Sequence, residues 1–148
     1  MTPQKPVKGS RSAQNDAQEL ADTSSSERRS GARISVIDIP APCKYLNSNM
    51  RLHRMEQAKL TKAWRKAGQK AAENTMRFEG QVHITAHVIK DSKRRYDVLN
   101  LWPSLKAAID GIVTAGVIED DDWKHVVGPD MRHGGYGEPR IIVTIEQL

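Results

Sequence analysis

Two stretches concentrate carboxylates in a chain that is otherwise basic. Asp97 follows closely on Lys93, Arg94 and Arg95, and Glu119, Asp120, Asp121 and Asp122 stand together further along. Two or three hard oxygen ligands can hold Mg²⁺, which keeps part of its water shell and accepts a phosphate oxygen. An ion held in this way can activate water and stabilise charge developing on phosphorus. Lys and Arg beside the carboxylates offset the repulsion between an acidic site and a polyanion. Metal-dependent phosphodiester hydrolysis uses this combination. An acidic turn is also what a solvated loop or a set of helix caps looks like, so spacing alone leaves both readings open.

The bulk properties suit a nucleic-acid partner without demanding one. The chain has 148 residues, a net charge of +5 and 38% hydrophobic residues. A basic excess favours association with polyanions but says nothing about fold. The single cysteine, Cys43, excludes an intramolecular disulfide and reads as a small side chain in a loop. No apolar run approaches the roughly 18–20 residues needed to span a bilayer. Nor does the N-terminal stretch carry the apolar region of a signal peptide. The expectation is a cytoplasmic protein that does not engage membranes.

Residues 1–33 contain no Phe, Trp or Tyr and include the polar run Ser24-Ser25-Ser26-Glu27-Arg28-Arg29-Ser30-Gly31. A segment with so little apolar surface cannot offset its ordering entropy. The expectation is a disordered tail, dispensable for activity, ahead of one domain over 34–148. The domain opens with a strand over Ile34–Ile39, closed by Pro40-Ala41-Pro42. Asn47, Ser48 or Asn49 can cap a helix running to about Asn74, with Leu52, Met55, Leu60, Ala63, Trp64, Ala67 and Ala71 as its buried stripe. Lys59, Lys62, Lys66 and Lys70, with Arg65 beside them, form another face, read as solvent-facing with phosphate tracking as the functional alternative.

Gln81–Lys90 alternates, with Val82, Ile84, Ala86 and Val88 on one face and His83, Thr85 and His87 on the other. At strand rise the two histidines stand about 13 Å apart, too far to chelate one ion, and read as packing or edge residues. Residues 91–96 form a basic loop. A second helix runs from about Leu101 to Ala115, capped by Asn100, with Pro103 in its first turn and Gly116 as its stop. Its core stripe is Leu101, Leu105, Ala108, Ile109 and Ile112. A short strand follows around Lys124–Val127, then a Gly-rich loop or hairpin over 128–139, then a strand over Arg140–Glu146. Trp123 reads as a partly buried packing residue, with stacking on an unpaired base as the functional alternative. The order β-α-β-α-β-β implies an α+β fold, one mixed sheet with two helices packed on it.

The stretch from Arg94 to Val126 carries a resemblance. It reads Arg-Arg-Tyr-Asp-Val-Leu-Asn-Leu, then Leu-Lys-Ala-Ala-Ile-Asp-Gly, then Ala-Gly-Val-Ile-Glu-Asp-Asp-Asp. This resembles the RusA-like Holliday junction resolvases, particularly the versions carried by phages and prophages. That family has an Asp-x-Asp-Asn segment opening a helix, a helical Lys, a further helical Asp, and an Asp-Asp pair after a Gly-containing turn. Asp97 and Asn100 match the first segment, Lys106 the lysine, Asp110 the helical Asp, and Asp120 with Asp121 the pair. The match covers about a quarter of the chain. It implies a homodimeric, Mg²⁺-dependent crossover junction endodeoxyribonuclease, with Mn²⁺ able to substitute and no other cofactor. The substrate would be branched DNA, cut by paired symmetric nicks in recombination or repair.

The resemblance implies roles as well. Asp97 and Asp121 would be direct metal ligands and Asp120 a ligand or the orienter of a metal-bound water, with Asp122 a further candidate ligand. Lys106 would contact the scissile or a neighbouring phosphate and act in catalysis with Asp97 and Asp121. Lys93, Arg94, Arg95, Asn100 and Lys106 would contact DNA. Without the family, Lys106 reads as a surface lysine paired with Asp110 at i, i+4. Leu99 stands where the family often has its second Asp, and leucine cannot ligate a metal. Asp122, Asp110 or the Asn100 amide oxygen would have to replace it. The competing reading is a junction- or branch-binding protein whose catalysis is impaired by that loss. A more distant one is a basic Mg²⁺-binding nucleic-acid chaperone of another fold.

Overall fold

The computed structural model describes residues 33–148. The expected tail falls outside the described residues except at its last position. Arg33 is tied to the domain: its guanidinium donates to the Arg77 carbonyl at 2.8 Å and lies 4.9 Å from the Phe78 ring centre.

The elements follow the expected order. They are β1 (Ile34–Pro40), α1 (Arg54–Ala71), β2 (Val82–Lys90), a 3₁₀ turn η1 (Val98–Leu101), α2 (Trp102–Thr114), β3 (Val126–Tyr136) and β4 (Arg140–Gln147). They make an α+β domain with one mixed four-stranded sheet, in the order β1-β4-β2-β3. β4 pairs antiparallel with both β1 and β2, whereas β2 and β3 run parallel. A parallel pair needs a crossover rather than a hairpin. Here the crossover carries the basic loop, η1, α2 and the acidic turn, so every residue singled out for chemistry lies on one connection.

Period-two alternation sends Ile37 and Ile39, Ile84, Ala86 and Val88, and Ile141, Val143 and Ile145 into the core. They share it with Leu101, Leu105, Ala108, Ile109 and Ile112, the expected stripe of the second helix. Burying each such aliphatic contributes about 1.5–3 kcal/mol. The helices meet closely because two mid-helix glycines face each other's backbone. A Cβ at Gly68 would lie 2.2 Å from the Ala108 carbonyl oxygen, and one at Gly111 would lie 2.0 Å from that of Arg65.

Four expectations are corrected. Helix α1 starts at Arg54, capped by His53 Nδ1 accepting from the Met55 N–H at 3.3 Å, and ends at Ala71. Asn47 instead makes a local turn, its side chain accepting from the Asn49 N–H at 2.8 Å and its carbonyl from the Met50 N–H at 3.0 Å. Met55 is exposed, while Trp64 is fully buried. The Gly-rich stretch after 127 is not a loop. β3 runs through it to Tyr136, with a cis Gly128–Pro129 bond and a register shift opposite His83–Thr85. A proline is tolerated there because β3 is an edge strand and one missing donor leaves no ladder partner unsatisfied. Trp123 is 79% exposed rather than packed.

The loop from Ala41 to Met50 is pinned to the crossover. Fully buried Ser104 accepts from the Leu46 N–H at 2.6 Å and donates back to its carbonyl at 3.1 Å. The Trp64 indole donates to the Lys44 carbonyl at 3.1 Å and stacks on Tyr45. The Tyr45 hydroxyl lies 2.6 Å and 3.0 Å from the carbonyls of Ile89 and Arg140, joining the ends of β2 and β4. These contacts hold the start of α2 against the sheet. Among the described residues no helix is long and apolar enough to cross a membrane.

A candidate metal and phosphate site on the crossover

Helix α2 presents Lys106 and Asp110 one turn apart, the spacing that brings two side chains together on a helix face. The Lys106 ammonium donates to Asp110 at 2.9 Å, as the surface-pair reading expected. It also donates to Asp121 across the acidic turn. The lysine is therefore shared between its own helix and the loop that follows it. Both groups are partly exposed, at 44% for Lys106 and 24% for Asp121. Burial alone would lower the Lys106 pKa, but its hydrogen bonds to Asp121 and Asp110 outweigh that and raise it. The same hydrogen bond from Lys106 is the main reason Asp121 lies below the ordinary carboxylate range.

The turn itself is folded by its own carboxylates. Asp120 accepts from the Asp121 N–H at 2.7 Å, and Asp122 accepts from the N–H groups of Lys124 and His125 at 3.2 Å each. Asp122 also lies 2.5 Å from His125 Nδ1, and Glu119 lies 3.3 Å from its Nε2. The bond from His125 holds Asp122 down in pKa, and Asp122 with Glu119 raises that of His125. One ligand atom from each of Asp120, Asp122 and His125 falls within 4.8 Å of the others. Two carboxylate oxygens and one imidazole nitrogen suit a small divalent cation; the oxygens favour Mg²⁺ and the imidazole moves the preference toward Mn²⁺.

This grouping overlaps the expected ligand set without matching it. Asp120 and Asp122 belong to it, whereas Asp97 and Asp121 do not. Asp121 is engaged by Lys106. Asp97 caps η1, accepting from the Leu99 N–H at 3.0 Å. It lies in an open groove with Arg94, Arg95 and Tyr96. Asn100 does not cap α2, whose N-cap position is Leu101 with no side-chain bond. Its carbonyl accepts from Ser48 instead, at 2.8 Å from the backbone N–H and 3.2 Å from the hydroxyl. Leu99 is 62% exposed, so the position lacking a carboxylate faces solvent rather than the core.

Lys93, Arg94 and Arg95 are exposed, as a phosphate-contacting loop requires. Sequence reasoning passed over His125. Its signal was present, since Asp122-x-x-His125 is a spacing that folds back on itself in a single turn. His83 pairs with Asp130 at 2.8 Å across β2 and β3; β2 lies between β4 and β3, so His83 is not on an edge strand. The chain matches no protein-family model, and no curated protein matches it.

Proposed function

We propose that the chain is a metal-dependent endodeoxyribonuclease that cuts branched DNA, four-way junctions above all, in the manner of the RusA-like resolvases it resembles. The observation that carries this reading is the Lys106–Asp121 contact beside the Asp120–Asp122–His125 grouping. The contact places a cation suited to phosphate beside a grouping suited to a divalent metal, the pairing that metal-dependent cleavage of a phosphodiester calls for.

In this reading Asp120, Asp122 and His125 hold Mg²⁺ or Mn²⁺, with Asp121 and Asp97 drawn in when DNA arrives. The ion supplies Lewis acidity and water activation when bound. Lys106 turns from Asp121 to an oxygen of the scissile phosphate and stabilises the charge that builds there. Asp110 keeps the ammonium oriented while it does so. Asp122 and Glu119 fix the His125 ring from both nitrogens, and metal ligation requires the ring to give up a proton and one of those bonds. Lys93, Arg94 and Arg95 hold the strand entering the site, and Asn100 lies in the 3₁₀ turn, six residues before Lys106. A homodimer acting in the cytoplasm, with one site per subunit, fits a substrate whose two equivalent strands must both be nicked.

A non-catalytic branch-binding protein is the second reading, favoured by the exposed Leu99 and by the engagement of Asp97 as a cap. An end-labelled synthetic four-way junction incubated with Mg²⁺, Mn²⁺ or EDTA decides between them. Paired, metal-dependent nicks with linear duplex cut far more slowly support the enzyme. Tight binding without product in either metal selects the second reading.

A further inference from the structure

The open groove around Asp97, of about 820 Å³, is built from two parts of the chain. The basic loop after β2 supplies Arg94, Arg95 and Tyr96, and the far end of β3 supplies His133 and Tyr136. The three rings form a connected aromatic surface. Tyr96 and His133 meet edge to face at 5.5 Å between centres, and His133 and Tyr136 are tilted at 4.8 Å. The Tyr96 hydroxyl bonds His133 Nδ1, which fixes the relative placement of loop and strand. On another side the Lys90 ammonium lies 4.6 Å from the Tyr96 ring centre. Both tyrosines are half-buried, so each ring is anchored yet keeps surface open to the groove, and the two arginines are exposed.

From this geometry we infer that the groove is a subsite for one unstacked nucleotide of a DNA strand at the branch point. Its base lies against Tyr136 and Tyr96, and its flanking phosphates lie on Arg94 and Arg95. The inference rests on the nuclease reading and adds what that site selects. Aromatic planes accept any base because every base has a π face, while cations beside them track the backbone. A base in continuous duplex is already stacked on its neighbours and gains little here, whereas one at a junction exchanges water for a ring. Asp97 shares the groove, so the held nucleotide adjoins a carboxylate assigned to the metal. Base capture beside the cleavage point would make the groove, rather than the metal ligands, the part that separates branched from linear DNA.

The test uses the full chain in EDTA, where cleavage is silent, with 2-aminopurine placed in turn at each branch position of a four-way junction and at the matching positions of linear duplex. Stacking on a ring quenches this base. Quenching is expected at one or more branch positions and absent on duplex. Tyr136→Leu should abolish it and weaken junction binding about tenfold, with duplex binding unchanged, while Tyr136→Trp should preserve both. Arg94→Gln with Arg95→Gln should weaken both substrates and lower the salt slope by roughly two. Equal quenching on duplex and junction, none on the wild-type chain, or wild-type quenching in a folded Tyr136→Leu would each overturn the proposal. If Tyr136→Leu does not fold, Tyr96→Leu at the other stacking ring takes its place under the same criteria. Quenching without Mg²⁺-dependent nicking would leave the subsite standing and remove the nuclease; nicking without quenching would do the reverse.

Discussion

The segment 94–100 and the acidic turn 119–125 supply the carboxylates on which the proposed chemistry depends, and the two differ in what Asp97 and Asp121 themselves are bonded to. In the first, the bonds around Asp97 itself are local. Asp97 accepts from Leu99, the Asn100 N–H donates to the Asp97 carbonyl at 3.1 Å, and the Arg94 N–H reaches Ser92 Oγ at 3.3 Å. The second has local bonds from Asp120 and Asp122 and is also tied to distant parts of the chain. Lys106 reaches Asp121 from α2, the Val82 N–H donates to the His125 carbonyl at 2.9 Å, and the Phe78 N–H to that of Val117 at 2.8 Å. Local capping leaves Asp97 exposed and free to change partner at the cost of one weak bond. Cross-chain contacts leave Asp121 already committed to a cation. On the proposed reading, the turn is the preformed half of the site and Asp97 the half that DNA binding would complete.

Paired substitutions test that division most severely. Asp121→Asn and Asp97→Asn are each expected to reduce nicking by more than about a hundredfold, taking a lost hard ligand at several kcal/mol, with junction affinity kept or improved because a charge facing phosphate is gone. Asparagine caps as well as aspartate, so Asp97→Asn spares η1 and isolates the charge. Full nicking in Asp97→Asn, measured by single-turnover cleavage, would reduce that residue to a cap and confine the metal to the turn. Full activity in both variants would dismiss the site.

A smaller loss is expected at the lysine that spans the two halves of the turn's surroundings. Lys106→Ala should cut single-turnover nicking by about 10²-fold, the range for removing one charge-stabilising donor, while junction affinity falls only slightly. A change confined to affinity would make Lys106 one more phosphate contact. Next in size, His125→Ala should raise the metal concentration for half-maximal nicking about tenfold or more, since one of three ligands is lost. The shift should be greater for Mn²⁺ than for Mg²⁺, because imidazole suits the former better. An unchanged metal titration would show that His125 serves only to fold the turn.

Leu99→Asp probes the open half directly. The side chain is exposed, so the carboxylate carries no burial penalty, and the melting temperature should move by no more than about 0.5 kcal/mol of stability would produce. If residue 99 faces the metal, Mg²⁺ dependence of nicking tightens; if it does not, only the net charge changes.

The smallest expected effect lies outside both regions. His87 on β2 has a buried Nδ1 with no hydrogen-bond partner among the described residues, and burial, with Arg132 nearby, lowers its pKa below the ordinary value of 6.5. A base whose folded pKa is depressed binds more protons when unfolded. Its contribution is thus fully present above pH 6.5 and is lost as pH falls through its folded value. The raised pKa of His125 acts in the opposite sense, favouring the fold at low pH and fading as pH rises. Urea midpoints from pH 8 to pH 5 should therefore show a shallower acid loss in His87→Leu than in the parent chain. Parallel curves would mean that His87 titrates alike in both states.

Much of this molecule was legible in residue order alone. Alternation at Val82, Ile84, Ala86 and Val88 and at Ile141, Val143 and Ile145 named the core faces of β2 and β4, because a strand's period is two and only one face meets the helices. The helical stripe from Leu101 to Ile112 and the positive-φ Gly116 at its end were equally plain. So was the i, i+4 pair of Lys106 and Asp110, which depends on nothing beyond helix geometry.

What escaped depends on distant neighbours. Gly128 and Pro129 look like a loop until an edge position makes a missing donor harmless. Asn47 looks like a helix cap until its own turn takes up its side chain. Gly68 and Gly111 look like weak points in two helices until each is found against the other's backbone. Asp121 could be told from Asp120 and Asp122 only once the fold carried Lys106 to it. Tyr96, His133 and Tyr136 are far apart in order and become one surface only because β3 runs parallel beside β2. Sequence sets the period and the local bond. Which carboxylate meets which cation is decided by the crossover that folds them together.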